Sequence, residues 1–262
     1  MAEAKDVIVE VDADGVALVT LNRPHKRNAV TLAMWGEIGQ WTATLGGDPA
    51  VRAIVVTGAG GHFCAGADIS EFAMVRATAE QSRHYEEVAE GAVHAMLDCP
   101  KPVIAAVSGF GVGGGCGLAL GCDFRVGDAT TQMGIPAARL GIVYSLLESR
   151  LLLSAVGLSN AKLVLYSARR FGAAEAMRIG LLDQVAEDGA VAGARRLAGE
   201  LIANAPLSLA GSKEVLQLLA EGDAERHAQA IAAIVDRAID SEDYREAARA
   251  FVEKRPPVFR GR

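Results

Sequence analysis

Between Lys101 and Asp123 the chain reads KPVIAAVSGFGVGGGCGLALGCD, and six of the nine residues from Gly109 to Gly117 are glycine. Glycine is costly to order, so this density implies a need for backbone without side chains. The chemistry such a segment offers is anion stabilisation. Bare N–H groups at a helix start, with the positive end of the helix dipole, face an anionic group or a developing oxyanion. A second stretch of this kind, GAGGHFCAGADI, runs from Gly58 to Ile69. Gly109-x-Gly111-x-x-Gly114 also satisfies a dinucleotide-binding fingerprint, with Asp128 at about the separation of a ribose-binding acid. The apolar stretch from Gly115 to the next strand is too short for an ordinary βαβ crossover, and the fingerprint lies mid-chain, so a nicotinamide enzyme is not expected.

Both stretches follow apolar runs that read as buried strands, Val51 to Thr57 and Val103 to Val107. Upstream, Val7 to Val11 and Val16 to Leu21 alternate about the turn Asp12-Ala13-Asp14-Gly15, so a hairpin opens the fold. NRPHKRNAV is a polar turn leading to a helix capped by Thr31, with Val30, Met34, Ile38, Trp41 and Leu45 at helical spacing. A longer helix is predicted from about Thr78 to Leu97, closed by Pro100. Phe124 to Val126 is a further strand. Beyond Pro136 the spacing predicts helices over Ser145–Ala155, Asn160–Ser167 and Ala173–Ile179, with a short strand at Asp183–Val185. Pro206 separates a mixed core, residues 1–205, from a helical tail, residues 206–262.

With 262 residues, 51% of them hydrophobic and 22% charged, the chain is expected to bury a large core. The net charge of −6 and the lack of a basic cluster argue against nucleic acid as a partner. No signal-peptide core and no run of membrane-spanning length is present, so a cytoplasmic protein without membrane contact is expected. Cys64, Cys99, Cys116 and Cys122 show neither CxxC pairs nor zinc spacing, and read as small buried hydrophobes; no metal is expected. His62 and His94 have no partner pattern and read as structural.

The pairing of HFCAGADIS with SGFGVGGGCGLALGCD resembles the crotonase superfamily, the enoyl-CoA hydratase/isomerase family. LNRPHKRNAV, KPVIAAVSG, AAEAMRIGLLDQV and AFVEKRPPVF, in that order, extend the resemblance over almost the whole chain. It implies an α/β fold, a crotonase-like ββα spiral core followed by a C-terminal helical trimerisation region. It further implies a homotrimer or dimer of trimers binding an acyl-CoA thioester, with CoA carried by the substrate and no separate cofactor. By position, Ala67 and Gly114 would supply the two N–H groups of an oxyanion hole, one such donor being worth about 3–4 kcal/mol to an enolate transition state. Lys26, Arg27 and Ala29 resemble the family's nucleotide-binding turn. Ala65, Asp68 and Ile69 match the adenine and pantetheine path, and Phe251 and Lys254 match tail residues that reach a CoA site. The bland counterparts are tight turns for the two glycine loops and a solvated surface for the basic residues.

The sequence departs from the family where hydration needs its carboxylates. The expected positions hold Gly117 and Ala137, and a third position used by some relatives holds Ser145. Glycine and alanine transfer no protons, which makes two-glutamate hydration doubtful here. The polar residues in the adjoining segment are Tyr144, Ser145 and Glu148. Tyr144 resembles a decarboxylase branch of the family, where a neutral phenol would protonate the enolate left by CO2 from a malonyl-type thioester. Ser145 could bind a substrate oxygen. Glu148, four residues beyond Tyr144, would share its helix face. The structural alternatives are a core cap for Tyr144 and surface pairing of Glu148 with Arg150 or Arg139. Two readings result: an enzyme working through a CoA enolate, of hydratase, isomerase, decarboxylase or hydrolase type, and an acyl-CoA-binding protein without turnover.

Overall fold

The structure, a computed structural model, describes residues 5–222 and 226–262; the first four residues of the acidic N-terminal segment lie outside this set. The strands β1 (Val7–Val11), β2 (Val16–Leu21), β3 (Ala53–Gly58), β4 (Val103–Val107), β6 (Phe124–Gly127) and β9 (Gln184–Val185) form one sheet in the order β1-β2-β3-β4-β6-β9. β1 is antiparallel to β2, and the other pairs are parallel. Strands β5 (Phe110–Val112), β7 (Gln132–Gly134) and β8 (Phe171–Gly172) form a second, smaller sheet. A parallel bridge from Cys64 to Gly111 ties the earlier glycine-rich loop to the edge of this sheet.

Alternation explains why the central strands are apolar throughout. Ile54, Val56, Val103, Ala105 and Val107 face a core shared with α1 (Leu32–Gly47) and, beyond the short α2 (Phe72–Val75), with α3 (Ala79–Asp98). Ala53, Val55, Ile104 and Ala106 face the opposite way, onto Ala190, Ala194 and Ala198 of α7 (Ala190–Ile202). A parallel sheet covered on both faces needs apolar residues at both phases of the alternation. The strand-strand-helix order returns as β1-β2-α1, then β4-β5-α4 (Gly114–Leu120), then β6-β7-α5 (Leu146–Ser167). This is the expected ββα spiral.

Several expectations are corrected. The connection from β4 to β6 does cross over between parallel neighbours, because β5 lengthens it and a seven-residue α4 suffices. The helices expected over Ser145–Ala155 and Asn160–Ser167 are the two arms of α5, which break at Gly157, where φ of +72° and ψ of 166° are not helical. β5, β7 and β8 are two or three residues long, too short for a period to show. β3 begins two residues later than expected. α6 (Ala173–Ile179), the Thr31 cap of α1 and the start of α3 beside Thr78 agree with the sequence reading.

The tail comprises α8 (Pro206–Glu221), α9 (Ala228–Ile239) and α10 (Glu242–Glu253). It docks on the core through Lys213, whose Nζ donates to the Met96 carbonyl at 2.8 Å and pairs with Asp123 at 3.0 Å. Among the described residues no helix is long and apolar enough to cross a membrane.

Candidate active site

The two glycine-rich loops meet. Val30 holds the first: its N–H donates to the Gly66 carbonyl at 2.8 Å and its carbonyl accepts from Asp68 N–H at 2.9 Å. In a parallel bridge that bonding fixes the intervening residue, Ala67, with its own N–H directed away from Val30. The second loop turns from β5 into α4 at Gly113, whose φ of +58° and ψ of −125° suit only glycine. Gly114 is then the first residue of α4, so its N–H has no intrahelical acceptor. A methyl group on Gly114 would stand 3.5 Å from the Ala67 nitrogen. Among the described residues neither N–H meets a protein acceptor. The loops approach this closely because a Cβ on Gly115 would lie 2.4 Å from the Cys64 carbonyl.

Both donors open into a cavity of about 390 Å³. Ala65, Ile69, Ala137, Tyr144, Ser145 and Glu148 line it too, which brings most of the expected residues together. Helix α5 starts only at Leu146, so Tyr144 precedes the helix and does not share its face with Glu148. They meet at the cavity instead. Ser145 is the N-cap: its hydroxyl accepts from Glu148 N–H at 3.3 Å, and Glu148 Oε2 accepts from Ser145 N–H at 3.4 Å. Glu148 forms no ion pair among the described residues, and Arg150 pairs with Glu221 instead.

Burial sets the electrostatics. It raises the Glu148 carboxyl, and Glu86 and Glu90 push it further up against the lowering effect of the Ser145 N–H and Arg76. It also raises the Tyr144 phenol, with Glu148 adding to the shift, so Tyr144 stays neutral at physiological pH. Cys116 is fully buried and pushed up to about 12, which removes it as a nucleophile. All four cysteines are free and buried. Among the described residues no group of three or more His, Cys, Asp or Glu could hold a metal ion.

The other expected residues lie as follows. Lys26 and Arg27 are exposed on the turn after β2, Arg27 over the Phe110 ring at 5.2 Å, and the Arg27 carbonyl accepts from Ala65 N–H at 3.0 Å. Ala29 is half-buried, its carbonyl taken by Arg23. Asp68 is buried and spent on Arg23, at 2.9 Å, and on Ser70; the Ser70 hydrogen bond, with Arg23, holds its carboxyl below the usual range. Phe251 is exposed on α10 and Lys254 is its left-handed C-cap; neither lines this cavity. Asp128 binds Ser108 and Thr130. His62 is stacked on Phe110 at 4.7 Å, and His94 is exposed on α3.

Sequence reasoning missed the far wall. Trp35 donates through Nε1 to the Tyr85 hydroxyl at 3.0 Å, and Arg76 sits over the Phe72 and Tyr85 rings at 5.0 and 4.8 Å while bonding Glu86. All five line the cavity. The helical spacing of α1 and α3 marks their buried faces but not which part of each face borders open space. Asn28 was missed as well. It is fully buried, and its side chain bonds the Ala59 and His62 carbonyls and the Arg23 N–H.

The enoyl-CoA hydratase/isomerase family model matches residues 12–262 of the chain. A Thermus thermophilus protein provisionally named as an enoyl-CoA hydratase is 38% identical, over 96% of this chain and 100% of its own. The short-chain-enoyl-CoA hydratase of Clostridium acetobutylicum is 33% identical over 97% of both chains. The crystal structure of an enoyl-CoA hydratase/carnithine racemase from Magnetospirillum magneticum superposes with a TM-score of 0.92 at 33% identity, covering 99% of this chain and 97% of that one.

Proposed function

The chain belongs to the enoyl-CoA hydratase/isomerase family, and from that premise we propose that it is an enzyme that converts an acyl-CoA thioester through a CoA enolate. The observation that carries this is the convergence on one cavity of the Ala67 and Gly114 N–H groups, which meet no protein acceptor among the described residues. A thioester carbonyl seated there gains negative charge as its α-carbon loses a proton or CO2. Two fixed donors in a mostly apolar cavity stabilise that charge without reorganising. Lys26, Arg27, Ala29, Ala65, Asp68 and Ile69 would hold the CoA portion, Asp68 by bracing the loop through Arg23 rather than by touching it.

Two-glutamate hydration does not fit, because Gly117 and Ala137 offer no proton. Those two residues also favour a second reading, an acyl-CoA-binding protein without turnover. A malonyl-type decarboxylase is a further form of the first reading, with the neutral Tyr144 as proton donor. The discriminating experiment incubates the protein in deuterated water with saturated, 2-enoyl, 3-enoyl and alkylmalonyl thioesters and follows their mass. Deuterium at the α-carbon, gained water or lost CO2 is the expected result. Binding of every thioester with no change in mass would sink the enzyme and leave the carrier.

Oligomerisation belongs to the same proposal. Leu216, Leu219, Val235, Ile239, Phe251 and Val252 of the tail are exposed, and a homotrimer or dimer of trimers would cover such a surface. Light scattering is expected to return three or six chain masses; a monomer at micromolar concentration would refute it. A cytoplasmic location is consistent with four unpaired, buried cysteines.

A further inference from the structure

We propose that Glu148 is the catalytic acid and base of this site, its carboxyl standing where a side chain on residue 117 would otherwise reach. The inference rests on the enolate reading above and names the group that moves its proton. Gly117 lies in the interior of α4, where glycine costs about 1 kcal/mol relative to alanine. Its backbone has no left-handed φ to explain the choice, and among the described residues outside its own stretch of helix the only atom within 4 Å of a Cβ placed there is Glu148 Oε1, at 3.5 Å. A Cβ there would make ordinary contact with the carboxylate, so Glu148, from another helix, stands where a longer side chain on residue 117 would extend. Glu148 also lines the cavity that receives the Ala67 and Gly114 donors. Gly117 is three residues beyond Gly114 on α4, about 4.5 Å of helical rise, which sets the carboxyl beside α4 about one turn from the Gly114 N–H.

The step balances. Glu148 carboxylate takes the α-proton, the C–H electron pair becomes the Cα–C π bond, and the carbonyl π pair moves to the oxygen held by Ala67 and Gly114. The protonated Glu148 then returns the proton to carbon. The capping bonds to Ser145 fix the carboxyl while leaving Oε1 toward Gly117. The groups that bear on it are Glu86 and Glu90 from α3, Arg76 from the segment before α3, Tyr144 before the cap, and Cys116 from α4. Burial, with the two glutamates, raises it from the ordinary glutamate value, the direction that makes a carboxylate a stronger base.

The test measures α-deuterium exchange of a thioester that the wild-type protein exchanges, in wild type, Glu148→Gln and the double variant Gly117→Glu/Glu148→Gln. Glutamine preserves the cap. The expected result is exchange about 100-fold slower in Glu148→Gln, with acyl-CoA affinity within about threefold of wild type. The wild-type rate should rise with pH as the carboxyl ionises, with a midpoint above the ordinary value of about 4.3, and the single variant should lose that rise. The double variant should recover at least about tenfold over the single one. Exchange in Glu148→Gln within about threefold of wild type overturns the assignment alone. A double variant no faster than the single one overturns the equivalence with position 117. Wild type that exchanges no thioester overturns the enolate reading, and this inference with it.

Discussion

Replacing Gly114 by proline is expected to slow α-proton exchange of a bound acyl-CoA by about 10²–10³-fold while leaving a folded protein. Gly114 is the first residue of α4, the one helical position where proline's fixed φ is favourable and its missing N–H costs the helix nothing. What the substitution deletes is the donor itself, and the ring carbon put in its place points where the oxyanion would sit. Alanine at the same position is the control. Both substitutions bring a Cβ to 3.3 Å from the Trp35 ring, a contact that requires a shift of a few tenths of an ångström, but alanine keeps the N–H. The alanine variant should therefore exchange within about tenfold of wild type and the proline variant should not. Equal rates in the two would mean that the Gly114 N–H is not a donor to the reacting oxygen, and thermal melts of both would separate that from a loss of fold.

How much of this site the sequence disclosed follows from what one dimension can carry. Buried strands, the cap at Thr31 and the two glycine loops are local features, written in period and in residue type. The placement of Ala67 against Gly114 was accessible only through resemblance, since no spacing rule relates residues forty-seven positions apart. β5, β7 and β8 escaped because elements of two or three residues have no measurable period. The partnership of Gly117 with Glu148 escaped for a different reason. A glycine does not say what lies beside it, and the neighbour here arrives from α5, whose capping box of Ser145 and Glu148 is seen in the structure, whereas the sequence reading set Glu148 on a helix face with Tyr144. The cap accounts for the local structure and leaves the proposed catalytic use of the same carboxyl without a local signature.

Asn28→Ala is expected to destabilise the protein by about 4 kcal/mol, the largest stability effect anticipated for any residue that does not touch the cavity. The side chain is fully buried and makes three hydrogen bonds: Nδ2 to the carbonyls of Ala59 at 2.8 Å and His62 at 2.6 Å, and Oδ1 from Arg23 N–H at 2.9 Å. Each is worth about 1 kcal/mol net, and more where the abandoned partner stays dry. Asn28 also has a φ of +56°, which asparagine tolerates and alanine adopts at a cost of about 1 kcal/mol. The contributions are separable. Asn28→Gly loses the same three bonds but accepts the backbone angle, so it should be milder by about 1 kcal/mol. For a chain of this size the alanine variant should melt roughly 10 °C lower. Equal stability of the alanine and glycine variants would remove the backbone contribution, and a loss below about 1 kcal/mol in both would mean water replaces the bonds. The consequence reaches the active site through the backbone. Asn28 joins the turn carrying Lys26 and Arg27 to the loop that ends in Ala67, and the next links are Arg27 carbonyl to Ala65 N–H and Val30 to Gly66 and Asp68. Loosening Asn28 therefore frees Ala67, one of the two proposed oxyanion donors, while Gly114, anchored on α4, stays in place. Acyl-CoA turnover in this variant should fall at temperatures where the fold is still intact, and turnover unchanged up to the melting temperature would show that Val30 alone is enough to hold Ala67.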